Sequence, residues 1–159
     1  MKGKPEVVEV LQKALAEELQ AINQYFLHSE MQNNWGYKRL HAEIKKQAIG
    51  EMKHAEVLIE RILFLEGLPD LNTFSKLKIG KTVEQQLQND LALEKGAVAD
   101  YNSYVAVARK AGDNASADLF ETLLKDEEVH VDFLEAQLAI IKEVGLQNYL
   151  AQQDRKSVV

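Results

Sequence analysis

In four helix-length segments of this 159-residue chain, the stripe of apolar residues that should face a core is interrupted by acids. In the first, Leu11, Leu15, Ile22 and Tyr25 recur at helical spacing with Glu18 among them; the second carries Ile44, Gln47, Glu51, His54 and Leu58. The third carries Val83, Leu87, Asp90, Glu94, Ala97 and Tyr101, and the fourth Phe120, Leu123, Glu127, His130 and Leu134. A helix turns by about 300° over three residues, so Glu51 and His54 leave it on one face, as do Glu127 and His130. An isolated carboxylate in a dry core takes up a proton rather than stay charged. A fold that turns these four stripes inward must therefore supply positive charge, and two divalent cations match four carboxylates.

The pattern occurs twice. Glu18 and Glu51 are 33 positions apart, and so are Glu94 and Glu127, giving a Glu followed by Glu-x-x-His in each half of the chain. Chance gives about 0.4 Glu-x-x-His matches in a chain of this composition, so two are suggestive and their placement decides. A single helical Glu is ordinarily a solvated surface group; six ligand-type residues on four apolar stripes are not. The chain has no cysteine, which excludes disulfide frameworks, iron-sulfur clusters, thiolate zinc and thiol catalysis. The oxygen and imidazole donors that remain suit iron or manganese, with zinc behind them and magnesium or calcium disfavoured. Iron is the expected metal.

Gly and Pro punctuate the chain into an all-α order. The first helix is predicted from Pro5 to the break at Asn33, Asn34, Trp35 and Gly36, and the second up to Gly67 and Pro69. Residues 67 to 82 form a long loop, a third helix spans Val83 to Lys110, a fourth ends near Val144, and a short C-terminal helix covers about 146 to 154. A helix of about 30 residues is about 45 Å long, and 16 extended residues reach about 50 Å, so the loop can cross a whole bundle. The expectation is one domain over 1–159 with the bundle at about 5–144, two helical hairpins joined by one long crossover. With 46% hydrophobic and 28% charged residues the chain can fill that core. Its net charge of -6, with Lys and Arg dispersed, argues against a nucleic-acid partner. No apolar stretch of about 18 residues suggests a membrane span, and none of about 7 to 15 follows Met1 to Glu6, so a cytoplasmic location is expected.

Four segments carry a resemblance: Ala21 to His28 (AINQYFLH), Glu51 to Ala55 (EMKHA), Ile59 to Pro69 (IERILFLEGLP) and Gly145 to Leu150 (GLQNYL). With them the chain resembles a bacterioferritin from end to end, a ferritin-like four-helix bundle with a crossover and a short fifth helix. The resemblance implies a twenty-four-subunit hollow shell that oxidises Fe(II) with oxygen or peroxide and stores ferric mineral. It implies that Glu18, Glu51, His54, Glu94, Glu127 and His130 are di-iron ligands, with Glu51 and Glu127 bridging. It also implies a b-type haem at the interface of a subunit dimer, with Met52 of each subunit as axial ligand, and a small ferredoxin as reductant.

Read without the family, Met52 is a core or interface filler, about 100° around the helix from Glu51 and so facing away from the metal stripe. A second apolar stripe on the first helix, Leu19, Ile22, Asn23 and Phe26, suits either a plain dimer contact or the wall of a haem pocket. Tyr25, two turns beyond Glu18, is placed to hydrogen-bond a ligand or to supply an electron when oxygen is reduced, or else simply fills the core. His28 and His41 lack an acidic partner at stripe spacing and are read as surface or interface residues. The chain departs from the family at Lys45 to Gly50, where many members carry Tyr-His-Glu-Ser-Ile-Asp; Lys46 and Gly50 cannot replace the His and Asp that hold iron on the cavity wall there. Two rivals follow: a di-iron oxidase or peroxide reductase that stores nothing, and a non-catalytic haem-carrying or shell-building subunit.

Overall fold

The computed structural model describes residues 1–153, which form α1 (Pro5–Trp35), α2 (Lys38–Phe64), α3 (Val83–Lys110), α4 (Asn114–Val144) and α5 (Leu146–Ala151). The ends follow from local chemistry. Pro5 occupies the first turn of α1, where its missing N–H has no partner to lose. Gly36 closes α1 in the left-handed region at φ 93°, which lets the N–H groups of Gly36 and Tyr37 reach the carbonyls of Asn33 and Gln32. The Thr82 side chain accepts the Gln85 N–H at the start of α3, and Asp113 accepts that of Ser116 at the start of α4. Arg61 donates to Asp113 at 2.9 Å, pinning the end of α2 to the start of α4. The predicted end of the C-terminal helix shortens: α5 stops at Ala151, Gln152 and Gln153 form a turn, and Asp154 lies outside the described residues.

α1 pairs with α2 and α3 with α4, and the hairpins are packed face to face. The crossover, residues 65–82, runs beside α1 as its length required. Gln12 donates to the Leu68 carbonyl, Gln20 to that of Lys76, Gln24 accepts the Lys78 N–H, and His28 accepts that of Gly80. These four anchors climb α1 while the loop climbs from 68 to 80. Gly80 is needed for closeness alone: a Cβ there would lie 2.4 Å from the Gln86 nitrogen.

The core is split in two. One cluster gathers Leu11, Leu15, Leu58, Ile62, Tyr101 and Phe120; the other Tyr25, Leu40, Ile44, Leu87, Leu134 and Tyr149. On every long helix the acids of the stripe fall between its contributions to the two clusters, so the polar groups form one belt across the middle of the bundle. No helix among the described residues is long and apolar enough to cross a membrane.

Candidate metal centre

Each long helix delivers its share of the belt to one spot. The structure brings all six stripe residues together in two groups whose ligand atoms lie within 4.8 Å of one another: Glu18, Glu51, His54 and Glu127, and Glu51, Glu94, Glu127 and His130. Glu51 and Glu127 belong to both groups. His54 Nδ1 lies 3.0 Å from Glu127 and 3.5 Å from Glu18; His130 Nδ1 lies 2.9 Å from Glu51, 3.4 Å from Glu127 and 3.5 Å from Glu94. The four glutamates are at most 2% exposed, and no Lys or Arg among the described residues pairs with them.

The residues fit a pair of cations on their own geometry. Glu18 Oε2, Glu51 Oε1, Glu94 Oε2, Glu127 Oε2 and His130 Nδ1 are all buried without a hydrogen-bond partner. Orphaned acceptors are rare and costly in native interiors, and here one comes from each of the four glutamates. His130 Nδ1 and Glu51 Oε1 approach to 2.9 Å without the alignment of a hydrogen bond. Two donors each about 2.1 Å from one ion and at right angles to it are about 3 Å apart.

Without ions, protons take their place. Burial, followed by the charges of neighbouring carboxylates, pushes Glu51 well above the usual carboxylate range. Burial likewise raises Glu94, aided by Glu127 and opposed by His130. His54 rises to about 11 and His130 to about 10: burial works against this, and the close contacts and charges of Glu127, Glu18 and Glu94 outweigh it. Burial acts to raise Glu127, but its close contacts with Glu94, His130 and His54 outweigh it and hold the group below its ordinary range. These shifts all favour protons on the imidazoles and on Glu51 and Glu94, and a cation must displace them. Affinity for Co(II) should therefore climb with pH between about 6 and 8, about tenfold per unit for each proton released. Calorimetry in two buffers of different ionisation enthalpy counts those protons; an affinity flat with pH would contradict the assignment.

The two halves of the centre are related by one offset. Glu94 follows Glu18 by 76 positions, as Tyr101 follows Tyr25, Glu127 follows Glu51 and His130 follows His54. Tyr25 donates to Glu94 and Tyr101 donates to Glu18, each phenol crossing to the carboxylate of the other half. Tyr101 is a site residue that stripe position alone left among the core; its mirror relation to Tyr25 is the signal that marks it. Asp126, 57% exposed, sits 3.0 Å from His54 Nε2 and was invisible to stripe spacing because it lies off the apolar face.

His28 corrects the surface reading. It is fully buried, with Nδ1 2.8 Å from Asp90 and Nε2 accepting the Gly80 N–H. Gln24 donates to the same Asp90 oxygen, so this network ties α1, α3 and the crossover together beside the centre. His41 is half-buried, its Nδ1 2.7 Å from the Ser29 carbonyl. Met52 is 55% exposed on the outer face of α2, near Ile49 on the same face, with Phe26 exposed on α1; Leu19 and Ile22 of the second α1 stripe pack partly inward.

The Ferritin family, described as a ferritin-like domain, matches residues 8–144. A bacterioferritin of Brucella melitensis is 47% identical over 149 residues, 94% of this chain and 92% of that one. Bacterioferritin BfrA of Mycobacterium tuberculosis is 42% identical over 152 residues, 96% of each chain, and a bacterial ferritin of Synechocystis is 46% identical over 154 residues, 96% of this chain and 99% of that one. With near full-length identity on this scale, and a ferritin-like bundle closed around a cation-fitting belt, the chain belongs to the bacterioferritins, iron-storage proteins of the ferritin-like superfamily.

Proposed function

We propose that this chain is a ferroxidase and iron-storage subunit: it oxidises Fe(II) inside its bundle and keeps the ferric product as mineral inside a shell of, by family, twenty-four copies in the cytoplasm. The observation that carries the reading is the set of five orphaned, inward-facing ligand atoms, one or more from each of the four helices. In this reading Glu18 and His54 hold one Fe(II), Glu94 and His130 the other, and Glu51 and Glu127 are shared. The chain's part is to fix the two ions side by side, match their charge and exclude bulk water. Two Fe(II) ions give one electron each to dioxygen, which with two protons leaves as hydrogen peroxide, or to peroxide, which with two protons leaves as two waters. Tyr25, donating to Glu94, orients that carboxylate and is in reach to supply a further electron.

For haem, the residues present fit a shared group: an exposed thioether at Met52 on an apolar outer face, which a second copy would cover and duplicate. Haem bound there between two Met52 side chains would pass electrons, from a small ferredoxin by family, to reduce mineral for release. A second reading is favoured by the altered stretch of α2. Lys46 is exposed and Gly50 has open space where a side chain would stand, so the cavity-wall His and Asp of relatives are missing. A haem-carrying or shell-building subunit would assemble without oxidising iron.

Aerobic addition of Fe(II) in large excess over two ions per chain separates the readings. The expected result is rapid ferric absorbance, followed by an iron-rich particle that elutes as a large assembly. Oxidation that stops at two ions per chain would leave a di-iron oxidase without storage, and assembly with no oxidation would leave the shell-building subunit.

A further inference from the structure

Tyr25 and Tyr101 are counterparts about the centre, yet their surroundings differ. Among the described residues Tyr25 meets no other aromatic ring. Tyr101, fully buried and bonded to Glu18, meets Tyr104 edge-on with ring centroids 5.7 Å apart. Tyr104 donates to Glu17 Oε2 at 2.9 Å, and both line an open cavity of about 430 Å³ between α1 and α3, beside Asp100, Gln20 and Ser75. Phe120 packs on both tyrosines, at 5.9 and 5.5 Å, and is far harder to oxidise than a phenol, so it insulates the pair.

We propose that Tyr101 and Tyr104 form a one-electron relay between the metal centre and the cavity between α1 and α3, where a small anionic enediol, its charge met by Lys13 and Lys78 and its hydroxyls by Gln20 and Asn89, discharges it. The inference rests on the reading that the centre oxidises Fe(II). Two Fe(II) ions give two electrons, enough to release dioxygen as hydrogen peroxide; carrying it to water before release takes four. Tyr25 and Tyr101 supply the others: O2 + 2 Fe(II) + 2 TyrOH + 4 H+ gives 2 Fe(III) + 2 TyrO• + 2 H2O + 2 H+, the four consumed protons coming from solvent and the two phenol protons being held on Glu94 and Glu18. The Tyr101 radical then takes an electron from Tyr104 across the ring contact. The Tyr104 proton passes to Glu17 as Glu17 hands its own to the hydrogen-bonded Asp100, and the proton that Tyr101 had given to Glu18 returns to it. The donor in the cavity loses one electron to Tyr104, Glu17 gives the proton back and regains its own from Asp100, and the relay is reset. Tyr25, with no neighbouring ring, keeps its radical longer.

Freeze-quenched EPR on Fe(II)-loaded Tyr25→Phe protein mixed with oxygen tests this, with ascorbate as the donor. A tyrosyl signal is expected, and adding Tyr101→Phe should lower it about tenfold or more. Adding Tyr104→Phe instead should leave the signal on Tyr101 and slow its decay with ascorbate about tenfold or more, an effect that a structural role would not produce. The same radical yield without Tyr101, or the same ascorbate decay without Tyr104, overturns the relay. An iron-free arm separates this from the function itself. A photogenerated ruthenium(III) oxidant on metal-free Tyr25→Phe protein should produce a Tyr101-dependent part of the radical signal that Tyr104→Phe delays. If wild-type protein fails to oxidise Fe(II), the ferroxidase reading fails and this arm alone decides the relay; a Tyr101 signal that ignores Tyr104 ends it.

Discussion

Replacing Glu127 and His130 together with Ala is expected to cut the rate of Fe(II) oxidation by at least about a hundredfold while the bundle still folds. Glu127 serves both ligand groups, so its loss removes a donor from each ion at once, and His130 is the only imidazole of the second group. Three donors would remain around the first ion and two around the second. Folding should survive because the centre is not the apolar core: two separate clusters on either side hold the helices together. Removing charged groups from a buried belt also removes their desolvation cost, although His54 loses its 3.0 Å contact with Glu127. Stopped-flow absorbance gives the rate, and Co(II) titration should fall below two ions per chain. Wild-type rates in the double variant would defeat the ligand assignment.

Met52→Leu should abolish haem binding. The side chain is more than half exposed and makes no hydrogen bond among the described residues, and leucine keeps its bulk, so folding loses little. What is lost is the sulfur, for which a hydrocarbon cannot substitute as a ligand. The reduced wild-type protein should show the spectrum of a haem with two thioether ligands, and the variant none. An unchanged spectrum in Met52→Leu would place the ligand elsewhere.

Helix limits were legible because Pro5, Gly36, Thr82, Asp113 and Gly145 are end signals whose chemistry is local. The six belt residues were legible because a carboxylate on an apolar stripe contradicts its surroundings unless something compensates it. His28 was misread for a corresponding reason. Its partners, Asp90 on α3 and Gly80 in the crossover, stand 62 and 52 positions away, and no spacing rule within α1 points to them. Asp90 itself stood on the α3 stripe, an acid that the metal pattern did not use, and the network it forms was the missing explanation. Tyr101 shows the limit from the other side. Its position was plain, but which carboxylate a buried phenol bonds depends on how two hairpins dock, and docking is not periodic.

The offset of 76 fails at one position. Asp126, 76 positions on, corresponds to Gly50, so the carboxylate that steadies the far nitrogen of His54 has no counterpart on His130. An imidazole backed in this way is the stronger base and the stronger ligand. In the proposed reading the two seats would therefore be unequal in affinity, the one at His54 filling first and emptying last. A copy scarce in iron would then hold a lone ion, which has a single electron to give and cannot complete a two-electron discharge, so turnover would begin only when supply exceeds the demand of the tighter seat.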